Sequence, residues 1–344
     1  MDLRFSKSAM TRDRFEQLLT SFPEKRILTI GDVMLDRFVW GSVSRISPEA
    51  PVPVVHVKKE SVYPGGAANV ARNLVPFTEK VDLVGLIGED EFGRQLAETL
   101  KQGGIHGSGI VRDPDFETIV KTRIIARQQQ VCRVDRENPR PPTQAQQDEI
   151  RDFVRSNADS IDAIILEDYG KGLLQQHLLD EIVEIAREKS VVVAADPNPE
   201  NKLKWNGVTV LKPNRLEAFR MAGIPEPTPN DDPMQDEALR EVGQQLLNRW
   251  DIEMLLITLG EHGMILFERG KANEPQHVPV RAQEVFDVSG AGDTAIALLT
   301  LTLISNASPI EAIEVANYAS GAVVGKLGTA TLTPEELREA IPAS

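Results

Sequence analysis

Cysteine is almost missing from this sequence. Cys132 is the single one in 344 residues, so no internal disulfide can form, and no Cys/His spacing suits zinc. Long apolar runs are missing as well: nothing approaches the roughly 18 uninterrupted residues of a membrane-spanning helix. The opening MDLRFSKSAMTRDRFEQLL is charged throughout and lacks the apolar core of a signal peptide, so the cytoplasm is the expected compartment. Positive charge is in deficit, with 38 Lys and Arg against 52 Asp and Glu and a net charge of -14. That balance argues against a nucleic-acid groove or an anionic membrane as partner, though a local basic pocket can still hold a small anion. No G-x-G-x-x-G follows the first apolar run, where Gly31-Asp32-Val33-Met34-Leu35-Asp36 stands instead, which argues against a dinucleotide-binding dehydrogenase.

What is present is a series of short apolar runs, each closed by polar residues: Ile27 to Ile30, 81–88, 162–168, 191–196, 208–214 and 254–260. Helical patterns lie near Thr11–Ser21, at Leu178–Lys189 and at Glu237–Trp250. Strands buried on both faces and alternating with helices predict an α/β fold with a mostly parallel central sheet covered on two sides. Right-handed crossovers then bring the carboxyl ends of the strands to one edge, where such sheets bind ligands. Two segments, 37–57 and 118–135, break the pattern with β-branched residues and interleaved charges. They read as a small antiparallel flap inserted into a single domain spanning 1–344, or as two surface hairpins.

The most informative segment is Asp287-Val288-Ser289-Gly290-Ala291-Gly292-Asp293-Thr294, which runs into the apolar stretch AIALLTLTLI. A small-residue turn at a helix start exposes backbone N–H groups and the positive end of the helix dipole, a ready anion site. A carboxylate inside that turn repels phosphate, so Asp293 needs a reason to be there. Taking a proton from an attacking hydroxyl is such a reason.

Four further clusters follow strands. In Tyr63-Pro64-Gly65-Gly66-Ala67-Ala68-Asn69, paired glycines let a ligand approach the backbone, and Asn69 can donate to and accept from hydroxyls. Asn214 and Glu217 share one side of a first helical turn. They suit either a hydrated Mg²⁺ or an N-cap with its capping box. Thr258-Leu259-Gly260-Glu261-His262-Gly263 closes a strand and, by itself, reads as a turn into the next one. Asp32 and Asp36 end the first strand as ligands or solvated acids.

DVSGAGD resembles the C-terminal signature of the PfkB, or ribokinase-like, carbohydrate kinases, and the Gly65–Gly66 turn resembles their N-terminal signature. The resemblance implies a ribokinase-like fold with a small β-sheet lid, ATP and Mg²⁺ as cofactors, and a homodimer. It implies Asp293 as catalytic base, with Gly290, Ala291 and Gly292 holding the transferred phosphoryl group and Asp287 beside a monovalent cation. Gly65, Gly66, Asn69, Asp36 and Asp32 would hold the sugar. Asn214, Glu217, Thr258, Gly260, Glu261, Gly263 and Asn317 would serve ATP, with Mg²⁺ held through water by Glu217 and Asn214.

Three stretches carry the resemblance further: 31–55 with Arg45, 166–174 with Asp168 and Lys171, and 322–337. Within the family they resemble the kinases of D-glycero-D-manno-heptose 7-phosphate, which make the 1,7-bisphosphate for ADP-heptose and the lipopolysaccharide core. A phosphorylated sugar needs cations far from ATP, and Arg45, Lys121, Arg123, Arg127, Arg133 and Lys171 are candidates. Bifunctional relatives add a nucleotidyltransferase domain, and none follows here before Ser344, so kinase activity alone is expected. Ser289 stands where threonine is commoner, and Asp196-Pro197-Asn198 lacks the basic residue some relatives carry after the proline. The alternatives are a kinase of ribose, fructose or a hexose phosphate, and a catalytically silent sugar-binding regulator.

Overall fold

The computed structural model describes residues 10–127, 129–271, 274–280, 288–326 and 330–342. Asp287 lies outside them, as do residues 327–329 of the last substrate-related stretch.

In chain order the elements are α1 (Arg12–Leu19), β1 (Ile27–Gly31), β2 (Val33–Ile46), β3 (Pro53–Gly66), α2 (Ala67–Leu74), β4 (Val81–Gly88), α3 (Glu91–Gln102), β5 (His106–Asp113), β6 (Val120–Ala126) and β7 (Gln129–Arg136). They continue with α4 (Gln144–Asn157), β8 (Ala163–Glu167), α5 (Gln176–Glu188), β9 (Val192–Asp196), β10 (Val210–Leu211), α6 (Arg215–Ala222) and α7 (Glu237–Arg249). The last are β11 (Met254–Thr258), β12 (Met264–Glu268), β13 (Gln276–Val278), α8 (Ala291–Leu303), α9 (Pro309–Val324) and α10 (Pro334–Ala340).

Nine strands form one sheet in the order β13-β12-β11-β10-β9-β8-β1-β4-β5. All neighbours from β5 to β11 are parallel, and β12 and β13 add an antiparallel edge. Successive strand residues serve opposite faces, as the pleat requires. Ile27, Ala163 and Ile165 enter the core under α1, α2, α3, α8, α9 and α10. Leu28, Ile164 and Leu166 enter the core under α4, α5, α6 and α7. The expected α/β architecture, a mostly parallel sheet covered on both faces, is therefore present.

Helix α8 is apolar on nearly every side because it is enclosed on nearly every side, by α2, α9, β8 and β9. Its amino end reaches the edge where β1, β8 and β9 finish. That single placement brings Asp293 to the ligand edge of the sheet.

Two expectations needed correction. Residues 208–214 give only the two-residue strand β10, because Pro213 cannot extend the ladder and Asn214 already caps α6. The flap is mixed rather than antiparallel: its order is β3-β2-β6-β7, and β2 runs parallel to β6. The helices and strands between β3 and β6 carry the chain back before β6 starts, so a parallel pairing is the natural result. The flap strands are also longer than the sequence reading, with β2 beginning at Val33 and β3 running to Gly66.

Candidate active site

Asp293 occupies the first turn of α8, whose N-cap Gly290 has φ +81°, a left-handed value that favours glycine. The turn presents first-turn amides without intrahelical acceptors. Asp293 is 6% exposed, and both its oxygens are engaged. Asn69 Nδ2 donates to Oδ2 at 2.5 Å, and the Tyr169 hydroxyl donates to Oδ1 at 3.0 Å. Burial pushes the Asp293 carboxyl up to about 6. Asn69, Tyr169 and Lys212 pull against that rise, and Asp196 adds to it.

Asn69 reaches this point because α2 starts straight after the glycine pair. Gly66 has φ +63°, and a Cβ there would overlap the Asp32 carbonyl oxygen. A Cβ on Gly65 would overlap the Asp36 carboxylate, so this turn and Asp36 are in direct contact. The two helix starts are stitched together one turn further on: Thr294 Oγ1 donates to Asn73 Oδ1 at 2.9 Å, and Asn73 Nδ2 to the Asn69 carbonyl at 2.8 Å. Asn69 Oδ1 is buried without a partner, an acceptor that nothing in the chain satisfies.

The two front acids play different parts. Asp36 is buried and ion-paired with Arg123, which lies over the Phe38 ring. Asp32 faces inward to the loop after β8: its Oδ2 accepts from the Tyr169 and Lys171 amides at 3.0 and 2.9 Å, and its Oδ1 from the Leu173 amide at 3.0 Å. Both oxygens of Asp32 therefore anchor protein, while Asp36 remains the one beside the glycine turn. Asp168 starts the same loop, and burial pushes its carboxyl up to about 7. Its Oδ1 accepts from the Gly170 amide at 2.8 Å, and its Oδ2 is buried and unpaired.

The candidate cations are shared out among carboxylates. Lys171 Nζ lies 2.8 Å from Glu137, and Lys121 Nζ lies 3.2 Å from both Glu137 and Asp135. Arg45 stands apart. It is exposed near the tip of β2, nine residues past Asp36, or roughly 30 Å at strand rise. Within one chain it lies well along the strand from Lys121 and Arg123, whose register partners are Asp36 and Phe38.

Asn214 and Glu217 form the capping box of α6. Glu217 N donates to Asn214 Oδ1 at 2.9 Å, and Asn214 N to Glu217 Oε2 at 2.7 Å. Glu217 Oε1 is outside that box, and burial, with Asp196 nearby, raises the carboxyl above its usual range. Thr258 bridges to Asn214, so the 258–263 loop, with Gly260 and Glu261 at its open side and Gly263 closing it, lies beside the α6 start. Asn317 is buried in α9 and donates to the Pro279 carbonyl at 2.8 Å.

Four site residues were not singled out by the sequence reading: Glu167, Tyr169, Asp196 and Lys212. Lys212 Nζ pairs with Asp196 Oδ2 at 2.6 Å, both beside Gly292. Burial works against the ammonium, and Asp196 and Glu167 more than offset it, so Lys212 stays charged. Glu167 is buried with Oε2 unpaired; desolvation, then Asp196 and Asp293, push its carboxyl well above the usual range. Each of the four stands at or just after a strand end, which was the available signal.

A buried carboxylate, a helix start and a buried cation at one sheet edge suit phosphoryl transfer to a hydroxyl. The sequence signature described as "pfkB family carbohydrate kinase" matches residues 24–336. The chain belongs to the pfkB family of carbohydrate kinases. Enzymes of that family transfer a phosphoryl group to a sugar. Among curated relatives, the bifunctional protein HldE of Geobacter sulfurreducens is 40% identical over 328 residues, covering 95% of this chain and 65% of the relative. The protein of the same name from Aliivibrio fischeri strain ES114 is 43% identical over 327 residues, with the same coverage. This pfkB chain thus spans a little under two thirds of the length of these relatives. Among solved structures, Arabidopsis thaliana ribokinase complexed with ribose and ATP superposes with a TM-score of 0.70 at 19% identity. That match covers 93% of this chain and 99% of the ribokinase. Among the described residues, no helix is long and apolar enough to cross a membrane.

Proposed function

We propose that this enzyme transfers the γ-phosphoryl group of ATP to the anomeric hydroxyl of D-glycero-D-manno-heptose 7-phosphate, giving the 1,7-bisphosphate. The observation that carries the chemistry is the seat of Asp293, a buried carboxylate in the first turn of α8, clamped by Asn69 and Tyr169 and close to Lys212. Asp293 takes the proton as the hydroxyl oxygen attacks phosphorus. The bond from the γ-phosphorus to the bridging oxygen breaks, and ADP leaves. The Gly290, Ala291 and Gly292 turn and the Lys212 ammonium beside Gly292 would receive charge on the phosphoryl oxygens, the Ala291 amide giving up its 3.3 Å bond to the Val288 carbonyl.

The substrate rests on the resemblance of 31–55, 166–174 and 322–337 to heptose 7-phosphate kinases, supported by cations beyond the sugar turn. Arg123, paired with Asp36, and Lys121 and Lys171, which share Glu137, lie apart from Lys212, and a sugar phosphate would compete with those carboxylates for them. A 7-phosphate held there would present the opposite end of the sugar to Asp293.

The residues present fit Mg²⁺ held through water. Asn214 Oδ1 and Glu217 Oε2 are taken by the capping box, which leaves Glu217 Oε1 for a hydrated ion. Among the described residues no group of three or more carboxylates, histidines or cysteines forms a metal cage. When bound, Mg²⁺ would supply positive charge to offset that of the phosphates. The 258–263 loop and Asn317 are assigned to ATP. The cytoplasm, where ATP is available, is the compartment of this reading. A homodimer joined through the flap is part of it too, supported by Ile46, Val57 and Val134 on that sheet and Val52 in its β2–β3 connection, which expose 51–60% of their surface.

The test is a substrate panel with MgATP: heptose 7-phosphate, heptose, ribose, fructose and fructose 6-phosphate, with products identified by phosphorus NMR. The expected result is an anomeric phosphate from heptose 7-phosphate, with heptose at least about a hundredfold poorer in kcat/KM. Preferred turnover of ribose or fructose 6-phosphate would sink the heptose assignment and leave the sugar kinase standing.

A further inference from the structure

Tyr169 belongs to none of the motifs that identify the chemistry, yet its hydroxyl is 3.0 Å from the reacting carboxylate. Its backbone is fixed to the same degree. The Tyr169, Lys171 and Leu173 amides all donate to Asp32, so one buried carboxylate sets the whole 169–173 loop. Asp32 itself leaves the end of β1, and its own amide donates to the Glu167 carbonyl at the end of β8. The phenol is thus delivered to Asp293 by two central strands, with little freedom to move.

We propose that Tyr169 is a positioning residue for the base. Its O–H and the Asn69 amide grip one oxygen each of Asp293, fix the carboxylate plane, and leave the remaining lone pairs for the sugar hydroxyl. A carboxylate offers about four acceptor directions, so two donors of this kind orient it without saturating it. A base turned out of line loses much of its advantage, because proton abstraction depends on hydrogen-bond geometry first.

The phenol also has an electrostatic part. Asp293 is faced by Asn69 from α2, Tyr169 from the loop after β8, Glu167 at the end of β8, Asp196 at the end of β9 and Lys212 after β10. Burial and the surrounding carboxylates push the phenol well above its ordinary range, so it stays a donor throughout the working pH. A donor to the charged form favours that form, so Tyr169 holds the base lower than burial alone would.

The proposal rests on Asp293 being the base, and the experiment separates the two. Tyr169→Phe removes one oxygen atom. The acidic limb of its kcat profile should move up by roughly one pH unit, with kcat lost at neutral pH and partly recovered at alkaline pH. The ATP KM should change less than twofold. Replacing Tyr169 with 3-fluorotyrosine, a stronger donor of nearly the same size, should move the limb the other way, and serves if the Phe variant does not fold. Asp293→Asn is the control. If it is inactive while neither Tyr169 variant moves the limb, the positioning role fails and the base stands. If Asp293→Asn retains turnover, the base assignment itself fails.

Discussion

The Lys212 ammonium sits 2.6 Å from the Asp196 carboxylate, both enclosed, directly beside Gly292 at the start of α8. A buried pair of this kind contributes little net stability compared with an apolar pair, but it cannot be halved safely. Asp196, Glu167 and Asp293 meet around one ammonium, so its loss leaves three acids with no compensating charge.

Lys212→Met should therefore destabilise the protein by about 3–5 kcal/mol and lower kcat by about 10²–10³. Adding Asp196→Asn removes the stranded carboxylate. The double variant should recover most of the stability, read by urea unfolding, while the rate stays low. A double variant that regained its rate would mean that Lys212 serves only to neutralise Asp196.

Asp293 makes the opposite kind of contribution. Its folded pKa, about 6, lies above the usual 3.8, so the folded state holds the extra proton between those values. Stability must then fall as pH rises from about 4 to about 6, and stay reduced above that by about 3 kcal/mol. Asp293→Asn carries no such penalty, and the Tyr169 hydroxyl can turn to accept from the new amide. The variant should gain on wild type by about 1–2 kcal/mol between pH 5 and pH 7, measured by urea unfolding, while its kcat falls by about 10²–10⁴. A stability gap that ignores pH would mean that the carboxyl titrates normally.

Much of this architecture is legible before any coordinates, for a physical reason. The strands β1, β4, β8, β9 and β11 are buried on both faces, and such burial leaves an uninterrupted apolar run. The flap is harder because β7 is exposed along its whole length and its alternating charges read equally well as a surface hairpin. Parallel pairing of β2 with β6 depends on the path of the chain, which local pattern does not encode. In the site, Asp293 and Asn69 are legible because a turn of small residues frames each. Glu167, Tyr169, Asp196 and Lys212 are not, because a polar residue at a strand end looks like the start of a solvated loop. Only the convergence of β1, β8, β9 and β10 at one edge makes them neighbours. Asp32 and Asp36 show the limit most plainly: four residues apart, one binds three loop amides and the other an arginine.

The two readings of Asn214 and Glu217 can be separated by choosing a residue that caps as glutamate does but carries no charge. Glutamine serves at the third position of a capping box, so Glu217→Gln can still accept from the Asn214 amide and keep α6 in place. What it removes is the negative charge that a hydrated cation would feel. Glu217→Gln should then raise the Mg²⁺ concentration for half-maximal rate several-fold, with a stability change within about 0.5 kcal/mol. Glu217→Ala loses cap and charge together, so it should show the same metal shift plus a stability loss of about 1 kcal/mol. If the Mg²⁺ titration of the Gln variant overlays that of wild type while the Ala variant is destabilised, Glu217 is a cap and nothing more. The divalent ion would then be held by ATP and by other residues.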